Sequence, residues 1–213
     1  KSKIEKSTVE IFQKEMDADD NQLSANLIYC LLEDSEGLIW IATVSGLDVY
    51  NPVTKKIKHF RKARDELSDD LIISLCEDDK DKIWIGTGTY VNIFNKKDST
   101  FTWLTHEQGL PNNHIYEIIK DKNNDIWVAT GKGLCKYDKT QNTFHTFSLE
   151  DRLQSLEFNL RASYLCEDGE LLMGGMNGFN SFYPDFISKN PYIPNMVFTS
   201  FYTQKGTTKE YVN

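Results

Sequence analysis

Short apolar runs alternate with polar turn residues along the chain, and the same order of runs returns at a near-constant interval. An apolar run ending in an acid comes first, over residues 28–34, 72–78, 115–121 and 160–168. A tryptophan-centred run follows: Ile39-Trp40-Ile41-Ala42-Thr43, Ile83-Trp84-Ile85-Gly86-Thr87 and Ile126-Trp127-Val128-Ala129-Thr130, at steps of 44 and 43 residues. A degraded fourth copy, Leu172-Met173-Gly174-Gly175, puts Met173 in the tryptophan's place 46 residues further on, after a turn one residue shorter. Each unit continues with an aromatic-tipped run and a polar turn, over 47–51, 91–95, 134–138 and 179–184. An apolar pair closes the first three: Ile57 with Phe60, Phe101 with Leu104, Phe144 with Phe147.

No run shows a helical period of ten or more residues, and Ile, Val, Trp, Tyr, Phe and Thr dominate, so each run reads as a strand. Four strands per repeat of about 40–45 residues is the pattern of a propeller blade, whereas solenoid repeats of that length are helical. The expected fold is all-β, a partial β-propeller of about four four-stranded blades. The units divide the chain into an outer strand of a preceding blade (1–23), blades at 24–66, 67–108 and 109–152, a degenerate last blade (153–190) and the start of another domain (191–213).

In the first strand of each unit, two adjacent positions are apolar: Leu31 with Leu32, Leu75 with Cys76, Ile118 with Ile119, Leu165 with Cys166. Adjacent strand residues face opposite ways, so these strands are expected to be buried on both faces, between blades. Trp40, Trp84 and Trp127 read as core wedges with a partner for each indole N–H, and Trp103 as a rim residue. Near the start of the chain, residues 9–13 (Val9, Ile11 and Phe12) resemble an outer strand, expected to pair with the fourth blade or with a neighbouring copy. An open arc would leave apolar blade faces uncovered, which predicts a dimer if the ring does not close.

The net charge of −8 gives no basic face for a nucleic-acid phosphate backbone. The longest apolar run, Leu27 to Leu32, is six residues, against about 20 for a membrane span. No charged-then-apolar leader opens the sequence, so an export signal is expected outside it. Cys30, Cys76, Cys135 and Cys166 contain no C-x-x-C pair; they read as buried free thiols, and no zinc is expected.

Catalytic motifs are missing: there is no H-E-x-x-H, and Ser45 lies in Thr43-Val44-Ser45-Gly46-Leu47 rather than in G-x-S-x-G. The acid pairs recur at hairpin turns, which favours turn formation over acid–base work. Asp121-x-Asn123-x-Asp125 lacks the glycine and terminal glutamate of a calcium loop. No catalysis, metal or cofactor is expected. A ligand would sit where the loops at 61–70, 105–113 and 148–157 meet those at 44–46, 88–90 and 131–133, all on one propeller face. Candidate ligand-binding residues there are Tyr90, Asn112, Asn113 and His114. Tyr90 stands where the other units have Gly46 and Gly133; it would stack on a sugar ring or pack against the neighbouring blade.

The stretch from Asn112-Asn113-His114-Ile115 through Asp121 and Ile126-Trp127-Val128-Ala129-Thr130 to Gly133-Leu134-Cys135-Lys136-Tyr137-Asp138 resembles the two-component-regulator propeller repeat. Asn190-Pro191-Tyr192-Ile193-Pro194 and Val197-Phe198-Thr199-Ser200-Phe201 resemble the start of the tyrosine-rich β-sandwich that follows such propellers. The resemblance implies the periplasmic, ligand-sensing part of an inner-membrane hybrid histidine kinase. It further implies an oligosaccharide ligand and control of transcription through a phosphorelay. None of His59, His106, His114 and His145 has the context of a phospho-accepting histidine, so the kinase itself is expected elsewhere. The alternative is a propeller scaffold for dimerisation with no small-molecule ligand.

Overall fold

In the computed structural model, the structure describes residues 10–15, 21–79 and 81–187, with the strand backbone of 201–205 and 208–212. The first blade comprises β1 (Ile28–Glu33), β2 (Ile39–Thr43), β3 (Gly46–Asn51) and β4 (Lys56–Phe60); the second β5 (Ile72–Asp78), β6 (Lys82–Thr87), β7 (Val91–Asn95) and β8 (Thr100–Leu104). The third is β9 (Ile115–Lys120), β10 (Ile126–Thr130), β11 (Gly133–Asp138) and β12 (Thr143–Phe147), and the fourth is β13 (Phe158–Leu165), β14 (Leu171–Gly175) and β15 (Gly178–Phe182). Every blade is an antiparallel meander, four-stranded in the first three and three-stranded in the fourth. A separate hairpin pairs β16 (Phe201–Lys205) with β17 (Thr208–Val212). Residues 190–200 of the sandwich-like motif lie outside the described residues.

Burial follows the propeller pattern of blade on blade. Trp40 and Cys30 meet Leu75, Ile83 and Ile85 of the second blade; Trp84 meets Ile118, Ile126 and Val128 of the third; Trp127 meets Phe158, Leu171 and Met173 of the fourth. The three rings are at most 2% exposed. Each indole N–H donates to the aspartate six residues earlier: Trp40 to Asp34 (2.8 Å), Trp84 to Asp78 (3.1 Å) and Trp127 to Asp121 (2.8 Å). Two of these carboxylates also cap their own hairpins: Asp34 Oδ1 accepts the N–H groups of Glu36 and Leu38, and Asp121 Oδ1 those of Asn123 and Asp125. One residue type therefore closes the turn and satisfies a buried indole, which would otherwise leave an unpaired donor in the core. Lysines of the following blade reach back to two of these acids: Lys96 Nζ to Asp34 at 3.3 Å and Lys139 Nζ to Asp78 at 2.6 Å.

Five sequence expectations need correction. In the fourth blade the tryptophan's counterpart is Leu172, not Met173: Leu172 pairs with Tyr164 as Trp127 pairs with Ile119. The hairpin is not shortened, because Cys166 N donates to Glu170 O as Asp121 N donates to Asp125 O. Cys166 thus replaces the aspartate, and the fourth blade lacks the indole and its acceptor together. Asp168, two residues on, supplied a false register.

The thiols are not uniformly buried: Cys30 and Cys135 are, Cys76 and Cys166 are only partly so, and all four are free. Leu31 is 63% exposed while Leu75 and Ile118 are buried, because among the described residues no blade precedes the first. The outer strand expected over 9–13 does not form at the described residues 10–13, which have no ladder partner. Instead Lys14 N donates to Asn26 Oδ1 (2.6 Å), Asn26 Nδ2 returns a bond to Lys14 O (3.1 Å), and Phe12 packs edge-on against Tyr50.

Candidate ligand site at the pore mouth

At the loops leading into the first three blades a buried leucine (Leu23, Leu67 or Leu110) plugs the core. In every blade but the third, the backbone N–H just after this position is caught by a side chain on the third strand. Ser24 N donates to Asp48 Oδ2 (2.7 Å), Ser68 N to Asn92 Oδ1 (2.9 Å), and in the fourth blade Gln154 N to Asn180 Oδ1 (2.9 Å). The tight turns between second and third strands are held by Thr43, Thr87 and Thr130, whose hydroxyls donate to the carbonyls of Gly46, Tyr90 and Gly133.

Gly46 and Gly133 adopt φ of 126° and 118°, and a Cβ on either would stand 2.7 Å from a carbonyl oxygen, Phe60 O or Phe147 O. Their N–H groups donate to the next loop, to Asp70 O and Leu156 O. Tyr90 keeps a negative φ and donates its N–H to Thr87 Oγ1 instead (3.0 Å). Its ring stacks on Trp103, with centroids 6.4 Å apart and planes within 18°.

At the pore mouth the inner strands enclose a cavity of about 300 Å³, lined among others by Tyr29, His114, Tyr116, Asn159 and Leu160. His114 stands edge-on to Tyr116 at 5.6 Å. Beside this cleft Glu117, 5% exposed, accepts a hydrogen bond from Ser74 Oγ (2.6 Å) and one from Arg161 (3.3 Å). Arg161 holds a left-handed φ of 57°, a conformation costly for a non-glycine residue and tolerated where the surroundings fix it.

Of the four expected site residues, the structure brings only His114 into this cleft. Asn112 spends its side-chain oxygen on His114 N (2.7 Å), closing the turn. Asn113 is exposed on the same loop, and Tyr90 belongs to a different hollow. Sequence reasoning missed Tyr29, Tyr116, Glu117 and Arg161. Glu117 carried a signal: it pairs with Ala129 where the first two blades pair Cys30 with Ala42 and Ser74 with Gly86, so one inner strand has a charge at a small-residue position.

Other polar clusters are structural. Ser24, Asp48 and His59 converge, but Ser24 Oγ (3.2 Å) and Asp48 Oδ1 (2.8 Å) both meet His59 Nδ1. A nucleophile relay needs the two ring nitrogens to take separate partners. Asp121, first residue of the calcium-like stretch, spends its carboxylate on Asn123 N, Asp125 N and the Trp127 indole. Burial pushes the Cys76 thiol up to about 12 and raises those of Cys30 and Cys135 as well, so none is an activated thiolate at neutral pH.

Fold and cleft together define a β-propeller repeat protein with a pore-mouth pocket. The two component regulator propeller model matches residues 22–45, 66–89 and 109–132. No curated protein matches it. Among solved structures it is similar to the extracellular domain of a hybrid two component system from B. thetaiotaomicron, at 25% identity and a TM-score of 0.76 over 94% of this chain and 28% of that one. A second extracellular domain from the same organism, of a one component system, matches at 21% identity and a TM-score of 0.68, over 80% of this chain and 25% of that one. Streptogramin B lyase shares the fold alone, at 16% identity and a TM-score of 0.56, over 76% of this chain and 56% of that one. The chain thus spans about a quarter of the length of the two extracellular domains. Among the described residues no helix is long and apolar enough to cross a membrane.

Proposed function

We propose that this propeller is the ligand-sensing part of a two-component sensor, held outside the cytoplasm, and that its ligand is a carbohydrate bound at the pore mouth. The observation that carries the reading is the cleft itself. Two tyrosines and His114 surround about 300 Å³, enough for a sugar unit, and their ring faces and polar tips suit a ligand with apolar faces and hydroxyl edges. Asn112 and Asn113 flank this cleft on the His114 loop. The likeness to extracellular domains of two component systems supports the sensor reading. Signalling across an inner membrane to a histidine kinase, and from there to transcription, belongs to the same proposal.

Calorimetric titration with a panel of neutral oligosaccharides tests it. Binding by at least one sugar is expected, and no heat from any of them at millimolar concentration would refute it. A second reading, a self-associating scaffold, draws on the open face of the fourth blade, where Tyr164 is 61% and Phe179 66% exposed. A mass measured by light scattering that stays monomeric at high concentration would remove it.

A further inference from the structure

Two residues that break the repeat meet each other. Tyr90 replaces the glycine of the first and third blades, and Trp103 stands where those blades have His59 and Thr146. They form one stack, with planes 18° apart. Trp103 is 45% exposed, unlike the three core tryptophans. Its indole N–H is spent on Glu66 O at 2.7 Å, and Glu66 holds a left-handed φ of 58°, so a strained loop residue fixes the ring. Beside the ring lies a surface hollow of about 500 Å³, lined by Lys62, Glu66, Leu67, Phe101 and Trp103. Tyr90 does not line it; the tyrosine backs the indole and leaves the hollow to Trp103.

We infer that this hollow is a second ligand site, separate from the pore-mouth cleft, and that it takes a neutral saccharide ring stacked on Trp103. With its N–H already bonded, the indole offers a ligand its π-surface and apolar edge. Lys62 supplies a donor and Glu66 an acceptor at the rim. The acid disfavours an anionic ligand and the lysine a cationic one, whereas a neutral ring with an apolar face and hydroxyl edges meets both. The floor formed by Leu67 and Phe101 continues the apolar surface.

Trp103 gives the hollow its own reporter. The chain has four tryptophans, and the other three indoles are locked on Asp34, Asp78 and Asp121. The protein labelled with ¹⁵N-tryptophan is titrated with malto-, xylo-, manno- and fructo-oligosaccharides while the four indole resonances are followed. Trp103→Thr, which installs the third blade's residue, assigns the signal, and circular dichroism verifies that the variant folds. The expected result is a saturable shift of the Trp103 resonance with at least one sugar, retained in Tyr116→Ala and weakened more than tenfold in Glu66→Ala. A Trp103 signal unmoved by every sugar overturns the second site, even if calorimetry shows binding at the cleft. Loss of the shift in Tyr116→Ala also overturns it, because one site would then explain both. Shifts that follow protein concentration rather than sugar mark a protein contact and overturn the saccharide assignment.

Discussion

Pro111 and Cys135 occupy the two positions that form a backbone-to-side-chain hydrogen bond in every other blade. Ser24 with Asp48, Ser68 with Asn92 and Gln154 with Asn180 make that bond. Cys135 pairs with Val128 as Asp48 pairs with Ile41 and Asn92 with Ile85. Proline has no N–H to give, and the third blade accordingly presents no carboxylate or amide to receive one. Cys135 is fully buried, so an acceptor there without a donor would be desolvated for nothing. Cys135→Asn alone is therefore expected to destabilise by about 1–3 kcal/mol. Adding Pro111→Ser should recover part of the loss. Urea unfolding of both variants measures this; equal stability with and without the serine would mean the two positions are uncoupled.

Trp84 and Asp78 form the equivalent unit in the core. Trp84→Ala is expected to cost about 3–5 kcal/mol, the range for truncating a buried aromatic. Asp78→Ala should cost less than Trp84→Ala yet more than a surface substitution, because it strands the indole N–H and loses the Lys139 ion pair. A urea midpoint shift worth less than about 1 kcal/mol for Trp84→Ala would place the ring outside the core.

The repeat and its tryptophan wedges were legible in the sequence because Trp40, Trp84 and Trp127 sit at nearly equal steps in near-identical runs. The fourth blade was misregistered because the replacement was double. With Leu172 for the indole and Cys166 for the acid, the nearest aspartate, Asp168, looked like the missing partner. Only the hairpin bond from Cys166 to Glu170 reveals the true position. The site was less legible for a different reason. Tyr29, Tyr116 and Arg161 come from three strands that only the closing of blade on blade brings together. The notable loop residues, Asn112 and Tyr90, turn out to bond to their own loop or their own blade.

Stability should fall on the acid side through Asp34. Burial alone would raise its pKa, but the Trp40 indole, the Leu38 and Glu36 N–H groups and Lys96 outweigh it and hold the carboxyl below its ordinary value. A depressed folded-state pKa gives stability that is present above the unfolded value, about 3.9, and lost as pH falls through the folded one. For Lys96, burial would lower the pKa, but Glu77, Glu36 and Asp34 raise it. Its contribution is complete below the unfolded value, about 10.4, and fades as pH rises through the folded one. Asp34→Asn is expected to flatten the acid limb of a Tm-versus-pH curve, and to change the alkaline limb less, because Glu77 and Glu36 still hold Lys96. An unchanged acid limb would remove Asp34 from the account.

Thiol labelling should separate the cysteines by their packing. Cys135, fully buried and bonded through Sγ to Val128 O (3.4 Å), is expected to resist alkylation until the protein unfolds. Cys166, at a hairpin on the fourth blade, should react first in the native state. Mass-spectrometric mapping after brief iodoacetamide treatment decides the order; early modification of Cys135 would mean that the interface between the second and third blades opens readily.

The pore-mouth cleft is tested most directly by titrating Tyr116→Ala beside the parent protein with whichever neutral oligosaccharide the parent binds. Tyr116 is only partly buried and lines the cavity with His114, so its loss should leave Tm within a few degrees of the parent. Affinity is expected to fall at least tenfold, about 1.4 kcal/mol. Unchanged affinity in a folded Tyr116→Ala protein would contradict the assignment of the ligand to this cleft.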